Sequence, residues 1–282
     1  MGKWYDKIFV GNPNKDDFTA KDLPKTRVEQ YFDVIKLRFG GMITANLLVA
    51  LFMIPLFLWA SFNWFLFTQI GKEEAIKLVN TPSSWLFFLL ICIPLYALIG
   101  PAQAGLYYCL RNWIWNRRAT VGEHFWKEFK RSWKQAALIN LFNATLLYAG
   151  CFWFFACYNN METYPILKYV SILLVFVLAL YYMSTIYQFP QLVTYNLTFR
   201  QILKNSIIYL FAQFPRTLLA NIVYALLIVL CFLFGQVLLV VAMSLGFSFT
   251  CLGNMILSDY LFDRYVNEPE NRRKGMAPIS ED

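Results

Sequence analysis

Charge is what this sequence has least of. Only 15% of its 282 residues are Asp, Glu, Lys or Arg, where a soluble domain carries roughly a quarter. Hydrophobic residues make up 59% and aromatics 19%, with a mean hydropathy of +0.46. These values exclude a water-soluble enzyme built around one core and a disordered chain. Histidine is nearly absent: His124 stands alone, with no second His or Cys at ligand spacing, so it reads as structural. The 6 cysteines (Cys92, Cys109, Cys151, Cys157, Cys231 and Cys251) form no C-x-x-C pair and lie in apolar runs. They read as small buried residues, neither a disulfide framework nor a metal site. P-loop, H-E-x-x-H and G-x-S-x-G patterns are missing. ATP hydrolysis and hydrolase chemistry therefore have no seat, and the chain reads as a non-enzyme with no catalytic, cofactor or metal residue.

What is there is apolar sequence in long runs. No charged residue occurs in 39–70, 85–110, 136–161, 169–199 or 217–258. A spanning helix needs about 20 apolar residues, because the hydrocarbon layer is roughly 30 Å thick. The first four runs hold one span each. The last is about twice the needed length, and Gly235-Gln236 at its middle reads as a tight turn between two spans. The expected fold is thus an all-α membrane protein with six transmembrane helices. A cytoplasmic N-terminal arm covers 1–40, the transmembrane domain 41–257 and a cytoplasmic tail 258–282. Of the 25 Lys and Arg, 22 fall on the side shared by both termini and only Lys72, Lys77 and Lys168 on the other, which predicts that both termini are cytoplasmic. The net charge of +8 then reflects topology and anionic lipid, not nucleic acid.

The cytoplasmic connections carry a repeated pattern. Thr26-x-x-Glu29, Thr120-x-x-Glu123 and Thr198-x-x-Gln201 are each spaced as capping boxes. Each opens an apolar stripe at helical spacing: Val28, Tyr31, Phe32, Ile35 and Phe39; Phe125, Phe129 and Trp133; Phe199, Leu203, Ile207, Leu210 and Phe214. Amphipathic helices lying in the inner interface are expected before the first span, over 120–135 and over 198–214. Each leads to a span with an early asparagine: Asn46, Asn140 and Asn221. The order of box, stripe and asparagine reads as three helix-hairpin repeats, although any linker between hairpins also tends to be amphipathic.

Two sets of residues are candidates for function. Phe32, Ile35, Phe125, Phe129 and Trp133 form an expected partner interface on the interfacial helices. Asn46, Gln103, Asn140, Gln191 and Asn221 are polar positions inside the membrane. Such amides either line a polar path for a sugar or bond helix to helix, and the second reading is favoured.

Gly100-Pro101-Ala102-Gln103-Ala104-Gly105-Leu106 with Arg111-Asn112, then Phe129-Lys130 and Trp133-Lys134-Gln135-Ala136, resembles the YesL-like family of bacterial membrane proteins, whose function is unassigned. Asn12-Pro13-Asn14-Lys15 and Lys21-Asp22-Leu23-Pro24-Lys25 extend the likeness, which is good over about residues 1–140 and only in hydropathy beyond. Members lie beside ABC-type sugar importers and glycoside-degrading enzymes in Gram-positive bacteria. The resemblance implies a place in the bacterial cell membrane and a role in carbohydrate uptake. No E-A-A-x-x-x-G coupling segment is present. An accessory subunit that binds the flank of the importer's permease subunits is the expectation, with an independent sugar facilitator or small carrier as the alternative. Partners are the permease subunits and the lipid bilayer; self-association stays open.

Overall fold

The computed structural model describes residues 26–69, 82–115, 117, 119–241, 246–268, 271 and 274. Among them there is helix and no strand. The expected arm before residue 26, the outer loop near 71–81 and most of the tail lie outside the described residues. The helices are α1 (Arg27–Gln69), α2 (Pro82–Ile114), α3 (Val121–Asn159), α4 (Ile166–Ser184), α5 (Gln188–Thr194), α6 (Phe199–Ala212), α7 (Phe214–Val241) and α8 (Phe247–Phe262). α2 and α3 form the central pair. α1 and α8 pack on one side of it, α4 and α5 on the other, and α6 reaches α4 and α5.

The core is a continuous set of small and branched side chains. Met42, Ala45, Val49, Ile99, Ala102, Ala104, Leu106, Ile139 and Leu252 are all fully buried. The outside is apolar as well. On α4, Ile166, Tyr169, Ile172, Leu173 and Phe176 are exposed over one whole face. In water such a surface would be an aggregation liability; against lipid it needs no cover. The segments 27–66, 83–114, 121–159 and 166–194 are long and apolar enough to cross a bilayer, and the bent pair α6–α7 makes a fifth if it is one span. The protein is a multi-pass helical membrane protein.

Gly235-Gln236 is not a turn. α7 runs through it to Val241, and the chain resumes as helix at Phe247. The physical reason is local. One helical glycine costs only about 1 kcal/mol, and in hydrocarbon a broken helix would leave backbone groups unpaired.

The three expected interfacial helices meet their spans in three ways. α1 is kinked at Arg38 (φ −122°, ψ 19°). The second has no junction at all: 121–159 is one helix. No Gly or Pro lies between Glu123 and Ala149, and one buried stripe, Phe125, Glu128, Ser132, Ala136, Ile139, Asn140 and Asn143, crosses the expected boundary unbroken. A 39-residue helix is about 58 Å long, nearly twice the hydrocarbon thickness, and its basic first third continues in line with the apolar part. Only the third segment turns sharply, with α6 and α7 meeting at 101°. The break falls at Gln213 (φ −135°, ψ 45°), and Pro215, which lacks the N–H that would bond back to the Phe211 carbonyl, sits in the first turn of α7.

Capping follows the same split. The Glu29 N–H donates to Thr26 Oγ1 at 3.2 Å, and Gln201 Oε1 accepts from the Thr198 N–H at 2.8 Å, closing the third box. Thr120 makes no side-chain cap bond, so the second box stays open.

Candidate functional site: a buried polar seam between helices

The family-like segment of α2 is a contact surface for α3. A Cβ on Gly100 would run into the Ala136 backbone carbonyl, and one on Gly105 would sit 2.9 Å from both the ring and the carbonyl oxygen of Phe125. Ala102 and Ala104 are fully buried between these glycines. The two backbones approach as closely as small residues permit, which is how membrane helices gain packing energy without a hydrophobic effect. The other family-like residues make contacts elsewhere in the bundle. Gln135 Nε2 donates to the Leu197 carbonyl at 2.6 Å, Asn112 Nδ2 donates to the Tyr108 carbonyl in its own helix at 2.9 Å, and the Phe129 ring lies tilted at 39° to Phe52 of α1 with centroids 5.0 Å apart.

The in-membrane amides bond mainly to their neighbours, while Asn140 Oδ1 and Gln191 Oε1 are buried without a partner. Asn140 Nδ2 donates to Gln103 Oε1 at 2.9 Å and to the Tyr96 carbonyl at 3.2 Å, tying α3 to α2. Asn143 Nδ2 donates to Gln188 Oε1 at 2.8 Å, and Asn143 Oδ1 accepts from the Tyr181 hydroxyl at 2.6 Å. Gln191 Nε2 donates to Ser206 Oγ at 2.9 Å, joining α5 to α6. Asn46 Oδ1 accepts from the Ser248 N–H at 3.1 Å, satisfying one of the free donors at the start of α8. Asn221 Nδ2 donates to the Thr217 carbonyl in its own helix at 2.8 Å and to Met183 of α4 at 3.4 Å. A double-mutant cycle of Gln103→Leu and Asn140→Leu in detergent is expected to give a coupling energy of about 0.6–1 kcal/mol, read from denaturation of the four proteins.

The seam ends in charge. Arg111 and Glu128 are both buried. Arg111 Nη1 donates to the Val193 carbonyl, capping the C-terminus of α5 with a cation, and its guanidinium stacks 4.5 Å over Tyr108. Glu128 lies within electrostatic reach of Arg111 and pairs at 3.0 Å with the half-exposed Arg131. Beside this, Arg27 bridges Asp259 (2.9 Å) and Asp263 (2.7 Å), and Trp115 Nε1 donates to Asp259 at 2.9 Å. Gln30 Nε2 donates to the Ile114 carbonyl at 3.1 Å. The start of α1 is thereby fastened to the ends of α2 and α8. Burial pushes the Asp259 carboxyl above its ordinary range, against the pull of Trp115 and Arg27. Among the described residues no group of three His, Cys, Asp or Glu side chains could hold a metal ion. His124 Nδ1 lies 3.1 Å from the Thr120 carbonyl oxygen, beside Tyr108.

The expected partner face is divided by this packing. Phe32 and Trp133 are exposed at 63% and 51%, while Ile35 and Phe129 are half-buried against the core. Phe125 is fully buried under Gly105 and has no surface to offer a partner. The charged cluster is not among the site residues expected from sequence. Its signal lies in register: Glu128 and Ser132 continue the spacing from Phe125 to Ala136, so they share its buried face.

Residues 57–156 match the model of a family described as "Protein of unknown function, DUF624". That family is the one of the YesL-like bacterial membrane proteins. The matched stretch takes in the end of α1, all of α2 and α3 up to Ala156, so it centres on the close-packed pair. The earlier part of the 1–140 resemblance, before residue 57, lies outside it. No curated protein and no solved structure matches the chain.

Proposed function

We propose that this protein is an accessory, non-catalytic membrane subunit of a bacterial ABC-type oligosaccharide importer, binding the flank of the permease subunits. The observation that carries this reading is the fate of the in-membrane amides. Gln103, Asn140, Asn143, Gln188 and Gln191 bond to one another or to a neighbouring hydroxyl across helix contacts. Side chains spent on each other leave little with which to hydrate a sugar along a path. Recognition then falls to the outside, where Phe32 and Trp133 stand beside Lys36, Arg38, Lys130 and Lys134. The family-like residues on α2 and α3 supply the link to sugar uptake.

In the same reading α7 and α8 are the fifth and sixth spans, both termini are cytoplasmic, and the three hairpins descend from one repeat. Cysteines introduced by Lys77→Cys and Glu162→Cys into a cysteine-free chain are expected to react with impermeant maleimide in whole cells. Those from Lys130→Cys and Lys274→Cys are expected to react only after the membrane is opened. Labelling of Lys274→Cys in intact cells would break the six-span topology. The partner is tested by purification in mild detergents from a host growing on the inducing oligosaccharide. Recovery of permease subunits supports the proposal. The chain alone, in every detergent, overturns it. The alternative, an independent carrier, requires saturable sugar flux into liposomes that hold this protein only.

A further inference from the structure

Among the described residues, five buried side-chain atoms bond to nothing else in the protein. Three of them belong to residues that meet at one junction: Arg111 Nε at the end of α2, Glu128 Oε2 in the basic first third of α3, and Thr194 Oγ1 at the last residue of α5. Arg111 Nη1 donates to the Val193 carbonyl, so its guanidinium lies beside the residue that precedes Thr194. The Tyr108 ring meets both arginines of the cluster, with the Arg111 guanidinium carbon 4.5 Å and that of Arg131 5.8 Å from its centre. Arg131 in turn pairs at 3.0 Å with Glu128 Oε1, an oxygen that also accepts from the Ser132 hydroxyl. The second carboxylate oxygen, Oε2, is the one left without a partner. Arg111 and Glu128 feel each other's charge, yet Nε and Oε2 do not touch.

A cationic N–H and a carboxylate oxygen, both shut off from bulk solvent and both unbonded, are costly to leave so. The two are complementary, which limits what can satisfy them. An anion at Arg111 Nε would be repelled by Glu128, and a cation at Glu128 Oε2 would be repelled by Arg111. A neutral molecule that both accepts and donates suits the pair. The Arg111 and Glu128 side chains are 8% and 0% exposed, which leaves room for the smallest such molecule and no open path for a larger one. Ordered water inside proteins makes about three hydrogen bonds to groups of this kind. Arg111 Nε supplies a donor, Glu128 Oε2 an acceptor, and the Thr194 hydroxyl either.

We propose that an ordered water molecule is bound between Arg111 Nε and Glu128 Oε2, with Thr194 Oγ1 as its third partner. The buried ion pair is then bridged by solvent, and α2, α3 and α5 are joined through it. The site depends neither on an importer partner nor on the number of spans.

The test uses crystals of the full-length protein grown in a lipid mesophase. A single density peak is expected within hydrogen-bond distance of both Arg111 Nε and Glu128 Oε2. It is expected to give no anomalous signal after soaking in bromide or in rubidium. An anomalous peak with either ion would overturn the proposal, because the site would then hold an anion or a cation. A direct bond between Arg111 Nε and Glu128 Oε2, or bonds from each to other protein groups, would overturn it as well. Glu128→Gln keeps a polar atom at the same place and is expected to keep the peak, whereas Glu128→Leu is expected to lose it. A peak that survives Glu128→Leu would also count against the bridge. If Glu128→Leu does not fold, the wild-type maps decide by themselves.

Discussion

Replacing Gly100 with valine is expected to destabilise the protein by about 3 kcal/mol, the upper part of the usual range for overpacking. The first atom of any side chain at this position would meet the Ala136 carbonyl, which is backbone and cannot rotate aside. Relief would require α2 and α3 to separate along their whole contact. Ala102, Ala104, Leu106 and Ile139 would then lose close packing together. Gly122→Ala is the natural control. Nothing lies within 4 Å of a Cβ there, and the site is in the first turn of α3, so the change is expected to be neutral or slightly stabilising. Denaturation in one detergent, monitored by near-ultraviolet circular dichroism, compares the two. Equal stability of Gly100→Val and the wild type would show that the close approach of the helices is wrong.

Truncating Glu128 is expected to cost about as much, roughly 3 kcal/mol, for a different reason. The side chain is fully buried, and Arg111, itself buried, lies within its electrostatic reach. Glu128→Ala removes a buried negative charge that favours the buried Arg111 guanidinium. The Ser132 hydroxyl also loses the oxygen to which it donates. Arg131→Ala removes only the half-exposed partner and is expected to cost less than about 1 kcal/mol. The decisive comparison is therefore between the two ends of one ion pair. Similar losses at Glu128 and Arg131 would mean that the surface pair, and not the buried Arg111, is what Glu128 serves.

Much of this architecture is legible in the sequence because the bilayer imposes it. A charge-free run of more than 20 residues suits hydrocarbon and little else, and the described helices cover each such run in whole or in part. The breaks are harder to place. Gly235-Gln236 has the composition of a turn, but a glycine surrounded by Phe, Leu and Val in lipid has no better partner for its backbone than the helix. Pro215 sits between an amphipathic and an apolar segment, and the chain turns through 101° there. The stripe Phe125, Phe129 and Trp133 shows the limit of helical spacing as a guide. Period and phase place these residues on adjoining faces, but only the glycines on α2 decide that Phe125 goes inward and Trp133 outward. The ionisable residues at the seam are invisible from the charge-free runs alone. Arg111 and Asp259 lie just past the ends of those runs and Glu128 lies before the start of one, where the helices and the core both continue.

In the proposed role the outer flank, not an internal path, is the working surface of this protein. Trp133 is its most direct probe, since it is half exposed on the basic face of α3 and holds no part of the core. Replacing it with a photo-crosslinking benzoylphenylalanine, in cells importing the oligosaccharide, is predicted to give an adduct whose mass is that of this chain plus one permease subunit. The same substitution at Leu173, on the lipid-facing side of α4, is predicted to give none. Permease adducts from neither position, or equally from both, would contradict that role.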